Sequence, residues 1–136
     1  MTGNSVPAAL GGSRSAQICC SETPLELLGR LKRSFNLPAA NFIGHGDIAP
    51  GRKVDPNWRF PWKQLADSGY GYWFADTANL VVPPAFDHLQ ALRIIGYDLK
   101  DTTAAIASFK RHWLQDTTMG LSEDQYKVLY QVSRQY

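Results

Sequence analysis

Three residues near the middle of the chain have types and spacing that could do chemistry: His45, Lys53 and Asp55. They fall in the segment Gly44-His45-Gly46-Asp47-Ile48-Ala49-Pro50-Gly51-Arg52-Lys53-Val54-Asp55-Pro56. Pro56 biases Asp55 away from the α region, toward extended backbone. In an extended chain Lys53 and Asp55 project to the same side, because side chains alternate with period two. Pro50-Gly51 is a turn signal able to fold this arm back toward His45. One neutral nitrogen donor, one carboxylate and one fixed cation can therefore converge. A His/Asp pair suits zinc, which takes imidazole nitrogen and carboxylate oxygen at about 2.0–2.2 Å. A catalytic zinc keeps three protein ligands and an open position for water, and only two ligands are in view here. An adjacent ammonium would offset the negative oxygen that develops when water attacks a carbonyl. The other reading of the same residues is a surface histidine followed by a solvated Lys/Asp pair, and spacing alone favours it.

The elements that must position these residues follow from local patterns. Thr23 as N-cap, Pro24 at the first helical position and Glu26 three residues after the cap predict a helix start. Leu27, Leu28, Leu31 and Phe35 then recur at helical spacing, and Asn36-Leu37-Pro38 stops the run. Asn41-Phe42-Ile43-Gly44 reads as a short strand that delivers His45 at its end and leaves an unpaired edge. Residues 46 to 61, rich in Pro and Gly, should be irregular, and residues 62 to 66 a short helical turn. Residues 74 to 84 read as a linker. Three helices then fit the remainder. The first runs from about Phe86 to Ile95. The second has its N-cap among Asp101 to Thr103 and aligns Ile106, Phe109 and Trp113. The third opens on a Ser122–Gln125 capping box and buries Tyr126 and Leu129. About 50 residues make a marginal bundle alone, so it should pack on a neighbour.

Composition narrows the function classes. Fourteen Lys and Arg against twelve Asp and Glu leave +2, too little to suggest a nucleic-acid partner. Four of those basic and two of the acidic residues lie in 41–63, so the rest is balanced and a helical nucleic-acid binder is disfavoured. No apolar run approaches the roughly 20 residues of a membrane-spanning helix. The adjacent Cys19 and Cys20 neither staple a fold nor form a Cys-rich zinc site. Residues 1 to 20 hold no acidic and no aromatic residue and read as a loose tail without an export signal.

The thirteen-residue segment from Gly44 to Pro56 resembles the signature of zinc-dependent N-acetylmuramoyl-L-alanine amidases, the type-2 peptidoglycan amidases. The flanking Phe60-Pro61-Trp62-Lys63-Gln64-Leu65 is similar to that family, as is the helix from Thr23 to Phe35. Ile95-Gly96-Tyr97-Asp98, Ser108-Phe109-Lys110-Arg111-His112 and the closing helix resemble the peptidoglycan-binding helical module of its outer-membrane lipoprotein branch. The resemblance implies an N-terminally truncated α/β amidase domain over residues 21–73, then an all-α three-helix module over 85–136, with the chain mostly helical as it stands. It implies Zn2+ as cofactor, His45 and Asp55 as zinc ligands, and Lys53 as the lysine that stabilises the tetrahedral intermediate. The implied reaction is hydrolysis of the amide between N-acetylmuramic acid and L-alanine of the stem peptide. Peptidoglycan or muropeptides are the implied partners and the cell envelope the implied setting.

The departures from the pattern carry expectations of their own. The family's first zinc histidine and its general-base glutamate lie upstream, and no histidine precedes His45 here. His88 and His112 read as surface or packing residues, and Glu26 is explained by its cap. Gly46 stands where Ser or Ala is commoner, and Asn57 where Gly is usual. Two ligands hold zinc more weakly than three, so impaired hydrolysis is expected of the chain by itself. The rival reading is a non-catalytic peptidoglycan-binding module with a vestigial zinc site. Trp58, Phe60, Trp62, Tyr70, Tyr72 and Trp73 are expected to seal the core rather than form a wall for sugars. Arg52, Arg59 and Lys63 read as a solvated loop before they read as contacts for stem-peptide carboxylates.

Overall fold

The computed structural model describes residues 23–136, so the tail expected over residues 1 to 20 lies outside the described residues. Helix α1 (Pro24–Phe35) begins as its sequence requires: the Thr23 hydroxyl accepts from the Glu26 N–H at 3.2 Å, and the Glu26 carboxylate accepts from the Thr23 N–H at 3.1 Å. It ends at Asn36 in the left-handed region, whose N–H closes onto the Lys32 carbonyl. α1 belongs to a compact unit that ends at Pro38, and residues Ala39–Tyr136 form a second one.

The second unit is helical, and the expected α/β domain is not found: no strand occurs among the described residues. The segment expected as a strand instead opens with a single 3-10 turn, Ala39–Asn41, closed by the Phe42 N–H on the Ala39 carbonyl at 3.2 Å. A strand needs a neighbour to satisfy its N–H and C=O groups, and no described segment pairs with residues 42–44. His45 is therefore not at a strand end. It opens a one-turn helix, α2 (His45–Ile48), where the chain from residue 46 was expected to be irregular. α3 (Trp62–Asp67) matches the expected helical turn, and Trp62 and Leu65 face inward from it.

The three C-terminal helices are α4 (His88–Ile95), α5 (Thr102–Phe109) and α6 (Glu123–Ser133). Asp87 caps α4 and Asp101 caps α5, while Ser122 and Gln125 form the capping box of α6. Gly96, at φ 118°, ends α4 in a conformation that only glycine adopts without strain. Leu92, Phe109, Leu129 and Val132 are fully enclosed at the centre, with Tyr97 and Trp113 beside them. Tyr72, Trp73 and Phe74 pack on this core from outside the bundle, and the Gln131 and Gln135 side chains bond the backbone of Ala75 and Trp73.

α5 runs on into a π-helical turn, Lys110–Leu114, that ends at Gln115 in the left-handed region. Such wide turns are rare and often mark functional sites. This one buries Lys110, His112 and Trp113 within four residues. The Lys110 ammonium is enclosed and donates to the Thr118 carbonyl at 2.7 Å, the Thr118 hydroxyl at 2.9 Å and the Gly120 carbonyl at 2.6 Å. Asp116 lies 3.3 Å from it and completes the latch of the 115–121 loop. A buried charge is tolerated only when paired and bonded in this way.

Candidate functional site

The Gly44–Pro56 segment folds as a helical turn, a reverse turn and a returning arm. In α2 the Gly44 N–H donates to the Asp47 carboxylate at 2.9 Å, an acid three residues past the cap. The chain then reverses: the Arg52 and Lys53 N–H groups both donate to the Ala49 carbonyl, at 3.1 and 3.0 Å. Gly51 takes φ 80° in that turn, which explains a glycine after Pro50. The arm runs back alongside α2, and the Gly46 N–H donates to the Asp55 carbonyl at 2.7 Å. A side chain at Gly46 would have little room: its Cβ would lie 3.1 Å from the Lys53 carbonyl oxygen, and 3.3 Å from both the Asp55 carbonyl oxygen and Arg111 Nη1. The Asp55–Pro56 peptide is cis.

This geometry brings His45 and Asp55 together. His45 Nδ1 lies 3.1 Å from Asp55 Oδ2, with both side chains more than half exposed to solvent. The Asp55 carboxyl is held below the ordinary carboxylate range, first by its own backbone N–H, then by the His45 ring and the nearby Lys53 charge. Lys53 is exposed on the same arm. The three residues singled out by spacing thus gather around one turn.

Among the described residues no three His, Cys, Asp or Glu side chains converge on a space for a metal ion. His45 and Asp55 supply two donors of the chemistry zinc prefers. Two atoms each about 2.05 Å from a tetrahedral ion lie about 3.3 Å apart, close to the 3.1 Å separation seen here. The pair fits as part of a ligand set.

Asp47 was not evident in the sequence as a functional residue, and it ties the turn to the bundle. Its Oδ1 accepts from the Tyr97 hydroxyl at 2.6 Å, and its Oδ2 lies 2.6 Å from His112 Nδ1. A carboxylate only accepts, so the His112 proton is on Nδ1. His112 is buried, consistent with a packing role, and stacks on Trp62 with ring centres 3.9 Å apart and planes 6° from parallel. Its Nε2 is buried and has no hydrogen-bond partner among the described residues. Tyr97 is buried as well, and its hydroxyl is pushed well above the usual tyrosine range by burial, then by the Asp47 charge and hydrogen bond. The Gly44…Asp47 spacing was the available signal for the cap. Nothing local announces that Asp47 meets residues 50 and 65 positions away.

The aromatic cluster divides. Trp62 is buried, Tyr72 and Trp73 pack on the core, and Trp58 remains partly exposed with Arg59 stacked 4.8 Å from its ring centre. A cleft of about 150 Å³ opens beside Asp47, walled by Ile43, Ile48, Ile95, Tyr97, Trp113 and Tyr136.

Comparison with known proteins finds similar sequences and structures. Over 94 residues the chain is 33% identical to the N-acetylmuramoyl-L-alanine amidase AmiD of Escherichia coli, a match that takes in 58% of the chain and 34% of the relative. Over that stretch the chain is similar to an N-acetylmuramoyl-L-alanine amidase. Its fold is similar to solved structures as well. The Pseudomonas aeruginosa protein AmpDh3, solved in complex with anhydromuramic pentapeptide, superposes with a TM-score of 0.70 at 28% identity, covering 82% of this chain and 51% of AmpDh3. AmiD in complex with anhydro-N-acetylmuramic acid-L-Ala-D-gamma-Glu-L-Lys superposes at 0.67 and 24% identity, covering 82% of this chain and 50% of AmiD, which is a likeness of fold. The chain therefore spans about half the length of these solved structures and about a third of the curated relative. No protein-family model matches it.

Proposed function

We propose that this chain carries part of a zinc amidase site and acts on the amide between N-acetylmuramic acid and L-alanine in peptidoglycan or muropeptides. The observation that supports this most is the contact of His45 with Asp55, held by the Gly46–Asp55 backbone bond. His45 and Asp55 would hold the ion through an imidazole nitrogen and a carboxylate oxygen. When bound, zinc supplies a Lewis acid that polarises a carbonyl and activates water at neutral pH. The Lys53 ammonium, on the same arm, would meet the negative charge that develops on the amide carbonyl oxygen. The cell envelope, where peptidoglycan lies, is the setting that this substrate implies. No described helix is long and apolar enough to cross a membrane.

With two ligands the chain by itself should hold zinc weakly and hydrolyse slowly. Zinc retained after dialysis, and stem peptide released from an anhydromuramoyl-tripeptide, test the reading. Expected are weak zinc binding abolished by His45→Ala and Asp55→Ala, and slow release that a chelator stops. Zinc binding indifferent to both substitutions would refute the site. A second reading, a peptidoglycan-binding module without catalysis, is favoured by the convergence of two rather than three donors among the described residues. Sedimentation with insoluble peptidoglycan that ignores both chelator and His45→Ala would select it.

A further inference from the structure

The same turn is bolted to the helical bundle through one largely enclosed carboxylate. Asp47 lies two residues from His45 on α2, and its oxygens take three donors from three different places in the fold. Oδ2 accepts from the Gly44 N–H at 2.9 Å and lies 2.6 Å from His112 Nδ1, while Oδ1 accepts from the Tyr97 hydroxyl at 2.6 Å. The Asp47 and His112 side chains are 12% and 6% exposed, so these bonds form in a region of low dielectric, where charge-assisted hydrogen bonds are strongest. By contrast, the His45–Asp55 contact is more than half exposed. An exposed pair has little to hold its own geometry. What fixes its two backbones is buried: Asp47 sets the first turn of α2, and the Gly46 N–H on that turn grips the Asp55 carbonyl at 2.7 Å.

We propose that Asp47, clamped by Tyr97 and His112, is a positioning residue that sets His45 against Asp55. The helical bundle is then part of the site rather than a separate module. The functional consequence rests on the zinc-amidase reading, whereas the positioning itself belongs to the metal-free protein.

Four variants of the full chain test it. Tyr97→Phe removes one donor without changing ring size. His112→Phe keeps a ring on Trp62 and removes the other donor, and His112→Asn restores a donor near the Nδ1 position. Val132→Ala, a change at a fully enclosed position of α6, controls for general destabilisation. In metal-free protein, NMR should show faster hydrogen exchange of the Gly46 amide relative to α6 amides, with displaced His45 ring signals, in both Phe variants. Val132→Ala should leave the His45 signals unchanged, and His112→Asn should move the exchange ratio and those signals back toward wild type. In zinc titrations both Phe variants should weaken binding by about tenfold, the usual effect of losing a group that orients a ligand. Gly46 exchange and His45 signals at wild-type values in both Phe variants would overturn the inference. An absence of zinc binding to wild type, with the NMR changes present, would sink the amidase reading and leave the positioning intact.

Discussion

Replacing Tyr97 by Phe deletes a single oxygen from the interior, and with it the bond to Asp47 and the hydrogen bond from the Trp113 side chain. Tyr97 is 5% exposed, and Phe fills the same volume, so no cavity contributes to the cost. The lost bond to Asp47 is a 2.6 Å hydrogen bond to a carboxylate. Bonds to charged groups are worth about 1.5–3 kcal/mol. Asp47 keeps two other donors, Gly44 and His112, so a loss of about 2 kcal/mol at neutral pH is expected. Urea unfolding followed by circular dichroism should show the midpoint falling by about 1 M, given slopes of about 1–3 kcal/mol/M. The pH dependence provides a second, independent reading. The folded Tyr97 hydroxyl is pushed well above 10.0, while an unfolded tyrosine ionises near pH 10. Its contribution is therefore whole below about pH 10 and is lost as pH rises toward the folded value, at up to about 1.4 kcal/mol per pH unit. The gap between wild type and variant should then narrow above about pH 10. Tyr136, pushed up to about 12 by burial and by Tyr72 and Asp47, contributes to the alkaline decline of both proteins and cancels in the difference. A loss under about 0.5 kcal/mol at pH 7, or a gap that stays constant as the solution becomes alkaline, would refute the reasoning.

Lys110→Met should destabilise the chain by about 3–5 kcal/mol, since it empties a fully enclosed ammonium position and strands its acceptors; calorimetry would read this directly. Gly44→Ala should cost about 1–3 kcal/mol by overpacking, because the new Cβ would lie 2.9 Å from Asp47 Oδ2 and from Pro56 Cδ and 3.1 Å from Trp62 Cζ2; urea midpoints would show it. The Asp116 carboxyl is held well below the usual range, first by the Thr118 N–H, then by the Thr118 hydroxyl, Gln125 and Lys110. Its contribution is present above the unfolded value near about 3.9 and is lost as pH falls below it, so Asp116→Asn should flatten the acid limb of stability measured from about pH 5 to pH 2. Lys53→Met should lower hydrolysis by about a hundredfold, the usual loss on removing a group that stabilises developing charge, while zinc affinity stays within about threefold of wild type; muropeptide turnover beside a zinc titration would separate the two.

Much of this protein was legible from local patterns because those patterns act locally. The caps at Thr23, Asp101 and Ser122 and the stop at Gly96 depend on bonds spanning a few residues, and each stands where the sequence put it. The reversal at Pro50-Gly51 is of the same kind, and it gathers His45 and Asp55 within ten residues. The strand expected over 41–44 failed because strand formation is not local: an apolar tetrapeptide becomes a strand only when another segment accepts its backbone bonds. α2 went unseen because residues 46 to 61, rich in Pro and Gly, suggested irregular chain, whereas Gly46 answers to crowding by Lys53, Asp55 and Arg111.

The sequence by itself determined where the capped helices begin, where α4 stops, and the turn that brings His45 to Asp55, since capping, apolar period and turn chemistry are properties of neighbours along the chain. Only the tertiary structure decided that Asp47 would meet Tyr97 and His112, that His112 would lie flat on Trp62, and that Lys110 would be sealed inside the 115–121 loop. Those are contacts between distant segments, and what selects them is the burial of polar groups that must find partners once water is excluded.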